Sequence, residues 1–214
     1  MGFLEKPFSK RHFFAFGNQY RYPHVSNIDN SVAIWRVMKQ VVVDIQFLKG
    51  IGNSFVVKEM AIVSDNKIGH WVFKPHHGEI FVPRWIRNQN QYLKINHHGL
   101  VWEQGDTNLG EMANILVSHI GAGDCVYAKG DEKVKLLKSW GIDATELGSL
   151  LCPAAKKLSY EVISCNSHAR GTKVCALNQA LKFSKWLDTE FQQLGKNNLN
   201  VYISKLHQKE MLTK

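Results

Sequence analysis

No stretch of this chain approaches the ~18 consecutive apolar residues that a membrane-spanning helix needs. The first residues, MGFLEKPFSKRHFFAFG, are broken by charges where a secretory signal would be apolar. No membrane partner is therefore expected. There is no P-loop, no dinucleotide-binding glycine fingerprint and no His-Glu-x-x-His pair. Nucleotide hydrolysis, nicotinamide chemistry and zinc proteolysis lose their sequence support. Serine, histidine and aspartate occur without a local nucleophile signature. Cysteine is scarce: Cys125, Cys152, Cys165 and Cys175 are the whole set. A disulfide framework is not expected, and an intracellular setting, cytoplasmic or nuclear, is.

What is present in excess is positive charge. Lys plus Arg number 27 against 18 Asp plus Glu, giving a net charge of +9, with ten histidines besides. Such an excess favours polyanionic partners, nucleic acid first. No single dense Lys/Arg run carries it. Hydrophobic content of 44% is enough to bury a real core.

The organisation is that of an α/β chain. Residues 1–36 read as a basic and aromatic extension, 37–195 as the folded domain and 196–214 as a polar tail. VMKQVVVDIQFL, SFVVKEMAIVS and HWVFKP are β-rich runs separated by KGIGN and DNKIG, so they predict an antiparallel meander of three strands. Residues 76–108 read as loop. LGEMANILVSHI predicts a helix, DCVYA a buried strand, Asp131–Trp140 a second helix and Ile142 the start of a short strand. Cys175 to Leu194 carries the strongest helical stripe, through Ala176, Leu177, Ala180, Leu181, Phe183, Leu187 and Phe191.

The chemistry concentrates in CNSHARGTKVC. Cys165, His168 and Cys175 form Cys-x2-His-x6-Cys. Two thiols and an imidazole so close suit zinc, which then needs a fourth ligand. Cys152 is one alternative, because it extends the cluster along the chain.

Cations interleaved with aromatics suit single-stranded nucleic acid, through phosphate pairing and base stacking. Arg84, Trp85, Arg87 and Lys94 lie in such a stretch, and Lys129 and Lys133 sit around the second helix. Arg170 and Lys173 lie inside the cysteine-histidine loop. The competing reading is a solvated basic surface with aromatics that pack inward.

The element order resembles the ribonuclease H-like fold in its DnaQ-type exonuclease version: a mixed sheet, with a three-strand antiparallel meander plus parallel strands, flanked by helices. In those exonucleases the first strand ends in Asp-x-Glu, and its carboxylates hold catalytic metal ions. VVVDIQ offers Asp44 but has Gln46 in place of the Glu. Lys133 stands where a third acid is expected, with Asp131 and Glu132 offset. Val174 and Gln179 replace the last His and Asp. Two-metal hydrolysis needs several carboxylates around the ions, so Asp44 is only a residual catalytic candidate.

Within that superfamily the pattern resembles the Maelstrom domain. The resemblance implies a Glu-Cys-His-Cys zinc tetrad made of Glu59, Cys165, His168 and Cys175, a structural zinc, single-stranded RNA binding and weak ribonuclease activity. It further implies protein partners in a small-RNA (piRNA) pathway that silences transposons. A nuclease built on Asp44 and neighbouring acids, 3′–5′ exonuclease or metal-independent ribonuclease, is the alternative from the enzyme class. A protein-interaction scaffold is the third reading.

Overall fold

The computed structural model describes residues 39–65, 67–160, 165–168 and 174–191. The expected extension at 1–36 and tail at 196–214 lie outside the described residues. No helix among the described residues is long and apolar enough to cross a membrane.

Strand β1 (Gln40–Lys49) is the centre of the molecule. Its Val-rich run is buried on both faces, as a strand flanked by helices on each side must be. The Gly50–Asn53 turn reverses the chain into β2 (Phe55–Ser64), and β3 (Lys67–Lys74) completes the meander. The first two pairings are antiparallel, as the three β-rich runs predict.

The stretch 76–108 departs from expectation, because it is not a plain loop. Helix α1 (Arg84–Leu93) follows Pro83 and widens into one further turn to His98. Proline at a helix entrance costs little, since the first N–H groups have no partner inside the helix. Gly99, at φ 72°, closes it in the left-handed conformation. The helix was hard to read because Asn and Gln fill its middle and few apolar residues mark its inner face. One of those amides does the docking. Asn90 is buried, and its Oδ1 accepts from the Lys49 N–H at 2.7 Å while its Nδ2 donates to the Lys49 carbonyl at 3.0 Å. The side chain thus completes the end of β1 as a neighbouring strand would.

A two-residue edge strand, β4 (Thr107–Asn108), runs parallel to β3. Then follow α2 (Met112–His119), β5 (Cys125–Ala128), α3 (Asp131–Ser139), β6 (Ala144–Glu146) and α4 (Ala176–Trp186), which continues as a wider turn to Phe191. Strand β5 pairs parallel to β1, and β6 parallel to β5. The six-stranded order is β4-β3-β2-β1-β5-β6. An antiparallel meander extended by parallel strands across β1, with helices on both faces, is the ribonuclease H-like architecture.

Alternation along β1 and β2 divides the core. Val41, Val43, Ile45, Met60 and Ile62 face α2 and α3. Val42, Ala61 and Val63 face α4, whose Ala176, Ala180, Phe183 and Trp186 cover them. A β-bulge interrupts the pairing: Gln46 faces Glu59, but Phe47 faces Val57, so Lys58 is the extra residue. The bulge shifts the alternation by one, so that Val57 and Met60 both reach the first core while the polar pair between them turns to the other face. That shift delivers Glu59 beneath the start of α4.

Candidate metal centre and the buried ion pair beside it

Glu59 is fully buried, and an isolated carboxylate there would be costly. It is not isolated. Its Oε1 lies 2.7 Å from His70 Nε2, 2.8 Å from His168 Nε2 and 3.4 Å from Cys175 Sγ. Its Oε2 accepts from the Ala176 N–H at 3.0 Å, in the first turn of α4. Burial pushes the carboxyl up, but the hydrogen bonds from His168 and His70, the charge of His168 and the Ala176 N–H outweigh it and hold Glu59 at about 2.

Around this carboxylate the chain brings Cys165, His168 and Cys175. One ligand atom from each of the four residues lies within 4.8 Å of every other. Cys175 immediately precedes α4, and β2 passes under that helix entrance, so residues far apart in sequence converge. Burial, and then the Glu59 charge, push the Cys175 thiol up. A thiol so placed ionises only beside a strong positive charge. Burial lowers His168, but the Glu59 hydrogen bond and charge and the His98 carbonyl raise it on balance.

The donors fit a cation of borderline softness that prefers four ligands: one carboxylate, one imidazole and two thiols. The imidazole is already oriented. His168 Nδ1 donates to the His98 carbonyl at 2.6 Å, which turns Nε2 toward the cluster. The adjacent Ser167 carbonyl accepts from Gln104 Nε2 at 2.5 Å. Gln104 in turn is fixed by buried Lys58, whose ammonium donates to the carbonyls of Phe73, Trp102 and Gln104 at 2.5, 2.8 and 2.5 Å. Burial lowers Lys58 to about 8. Gly105 lets this segment lie against β3. At φ 133°, a Cβ there would meet the Phe73 carbonyl carbon at 2.5 Å.

Cys152 lies elsewhere. It is buried in the core under α4, its thiol 3.5 Å from the Pro153 carbonyl, and it is not a member of the four-residue group.

Asp44 sits on the same sheet face, one strand over, opposite Ala61. Lys133 reaches it from the first turn of α3, with Nζ 2.5 Å from Oδ1. Gln46 Nε2 donates to Oδ2 at 2.9 Å. Burial dominates and pushes Asp44 up to about 6 against the pull of Lys133. Asp131 and Glu132 point to solvent. The positive charge beside Asp44 is therefore supplied by an ammonium group of the chain itself.

The sequence-predicted nucleic-acid contacts divide. Arg84, Trp85 and Lys94 are exposed along α1 and its last turn, and Arg87 is half-buried. Lys129 donates to the Cys152 carbonyl at 2.9 Å and lies 3.7 Å from Glu146. Lys133 is held by Asp44. Arg170 and Lys173 lie outside the described residues. Sequence reasoning missed His70, Lys58 and Gln104. His70 was recoverable from register alone: it pairs with Ala61, so it shares a face with Glu59 two residues away. Lys58 and Gln104 carried no such signal, because the bulge and the loop that place them have no periodicity.

No protein-family model and no curated protein matches the chain. Among solved structures, E. coli exonuclease I in complex with a dT13 oligonucleotide aligns with 74% of this chain and 43% of its own, at 9% identity and a TM-score of 0.44. This chain thus spans less than half the length of that enzyme.

Proposed function

We propose that this chain is a catalytically degenerate, ribonuclease H-like domain that is braced by a structural zinc ion and binds single-stranded RNA. The observation that carries the reading is a paired one. The Glu59, Cys165, His168 and Cys175 donors converge, while the one remaining acid of the catalytic strand is capped by Lys133. Those four residues would hold the ion. When bound, zinc supplies the positive charge that keeps both thiols ionised. It also ties β2 to the entrance of α4, and with all positions filled from the protein it leaves none for water. Cys152 is the rejected fourth ligand in this reading.

RNA binding rests on the net charge of +9 and on the cation–aromatic segment at Arg84, Trp85, Arg87 and Lys94. The donor set supports a Maelstrom-like assignment, and with it a place in small-RNA silencing of transposons, among protein partners of that pathway. The folded unit is proposed as 37–195.

Three measurements on one preparation test this. Elemental analysis is expected to give one zinc per chain. Binding to an unstructured RNA is expected to weaken with added salt, as counterion release requires. A cleavage assay with added Mg²⁺ or Mn²⁺ is expected to show no metal-dependent product. Metal-dependent cleavage that Asp44→Asn abolishes would replace this reading with the nuclease.

A further inference from the structure

The outer face of α1 carries large apolar side chains that the described residues leave exposed. Phe81, Trp85 and Tyr92 are 71%, 55% and 60% exposed. A lone exposed aromatic is ordinary, but several on one face are a surface with a use. Trp85 and Tyr92 are seven residues apart, so two helical turns place them on one side, about 10.5 Å apart. Phe81 leads into that side from the turn before the helix. On the same side between them lie two exposed amides, Asn88 and Gln89. The opposite side of the helix, at Ile86 and Asn90, is fixed to the end of β1.

The charge on this segment has one sign. From Ile80 to Trp102 there is no Asp or Glu, while Arg84 adjoins Trp85 and Arg87 and Lys94 add positive charge elsewhere on the same segment. A polyanion with flat apolar groups is the partner that complements both features. Base pairs in a duplex are stacked at 3.4 Å per strand step and hide their faces. Rings about 10 Å apart on a rigid helix fit bases that are already unstacked. The amides between them offer donors and acceptors to base edges.

We propose that the exposed face of α1 is the base-stacking platform for single-stranded RNA: Trp85 and Tyr92 each take a base, Arg84 pairs with a phosphate beside Trp85, and Arg87 and Lys94 add to the positive field that draws the strand in. This rests on the RNA-binding reading above and assigns it to one surface. The platform is rigid because Asn90 and Ile86 dock the helix, so little order has to be gained on binding.

The test is fluorescence anisotropy of a labelled 12-nucleotide oligouridylate titrated with the full chain. Trp85→Ala and Tyr92→Ala are each expected to weaken binding about tenfold with the salt slope unchanged. Trp85→Phe keeps a flat ring and is expected to stay within about threefold of wild type. Arg84→Gln is expected to reduce the salt slope by about 0.7, the value for one phosphate on a single strand. All three positions are at the surface, and thermal melting checks that each variant folds. Full affinity in the Trp85→Ala, Tyr92→Ala double variant would move the RNA site elsewhere and overturn the platform alone. Absence of RNA binding by the wild type would overturn the platform together with the RNA reading. Sedimentation of the wild type with phosphatidylserine vesicles, lost in Trp85→Ala and with no RNA bound, would assign the face to a lipid surface instead.

Discussion

Asp44 and Glu59 lie on neighbouring strands, on one face of the sheet, and both are fully buried. Burial pushes each carboxyl up, yet Asp44 settles at about 6 and Glu59 at about 2. The difference lies in what meets them. Glu59 accepts from two imidazoles and from the Ala176 N–H at the start of α4. Asp44 has one ammonium and one amide. The first is a carboxylate kept ionised and surrounded by soft donors, ready to hold a cation. The second is a carboxyl whose charge is neutralised by the chain's own Lys133. One strand pair thus carries a cluster of candidate metal ligands and, beside it, a buried ion pair.

The largest expected effect comes from breaking the Glu59 side. Cys175→Ser is expected to abolish stoichiometric zinc and to lower the melting temperature by on the order of 10 °C or more, since binding of a structural metal is coupled to folding. Differential scanning calorimetry with and without a chelator checks it; equal melting of the two samples contradicts a structural ion.

Next in size is the Asp44 side. Lys133→Met leaves a buried carboxylate without its cation and is expected to cost about 3 kcal/mol at pH 7.5. The loss shrinks at pH 5, where Asp44 takes up a proton. Replacing both members, as Asp44→Leu with Lys133→Met, is expected to restore most of that stability, because a buried ion pair gives little net gain over a well-packed apolar pair. Urea denaturation of the single and double variants separates these outcomes.

How much of this was legible beforehand depends on the element. Strands β1 to β3 were readable because Val, Ile and Phe runs end at Gly and Asn turns. Cys165, His168 and Cys175 were readable because they lie close along the chain. Glu59 needed the fold, since nothing local links it to a loop more than a hundred positions later. Helix α1 was missed because Asn90 docks it by hydrogen bonds rather than by an apolar stripe. Lys129 and Lys133 read as surface charge, and only the structure shows them turned onto Cys152 and Asp44. Lysine is rarely buried without a partner, but sequence does not say where the partner is.

Smaller effects sharpen the same contrast. Gln104→Ala removes the amide that holds the Ser167 carbonyl and is expected to weaken zinc affinity about 10- to 100-fold, with the fold retained, as for other groups that orient metal ligands. Competition with a chromophoric chelator measures it. Asp44→Asn is expected to change the pH dependence of stability. The folded carboxyl titrates at about 6 against 3.8 for the free group. The folded state therefore binds more protons in that window, and the contribution of Asp44 is full below pH 4 and lost as pH rises through 6. Asp44→Asn removes that slope, and a wild-type-minus-variant difference that stays flat from pH 4 to 6 contradicts the assignment.

The most direct test is zinc content of three purified chains: wild type, Cys152→Ala and Glu59→Ala. One zinc per chain in the wild type and in Cys152→Ala, with substoichiometric and readily chelated zinc in Glu59→Ala, is the result expected from the convergence of Glu59, Cys165, His168 and Cys175. A wild type without zinc, or zinc lost from Cys152→Ala and kept in Glu59→Ala, contradicts it.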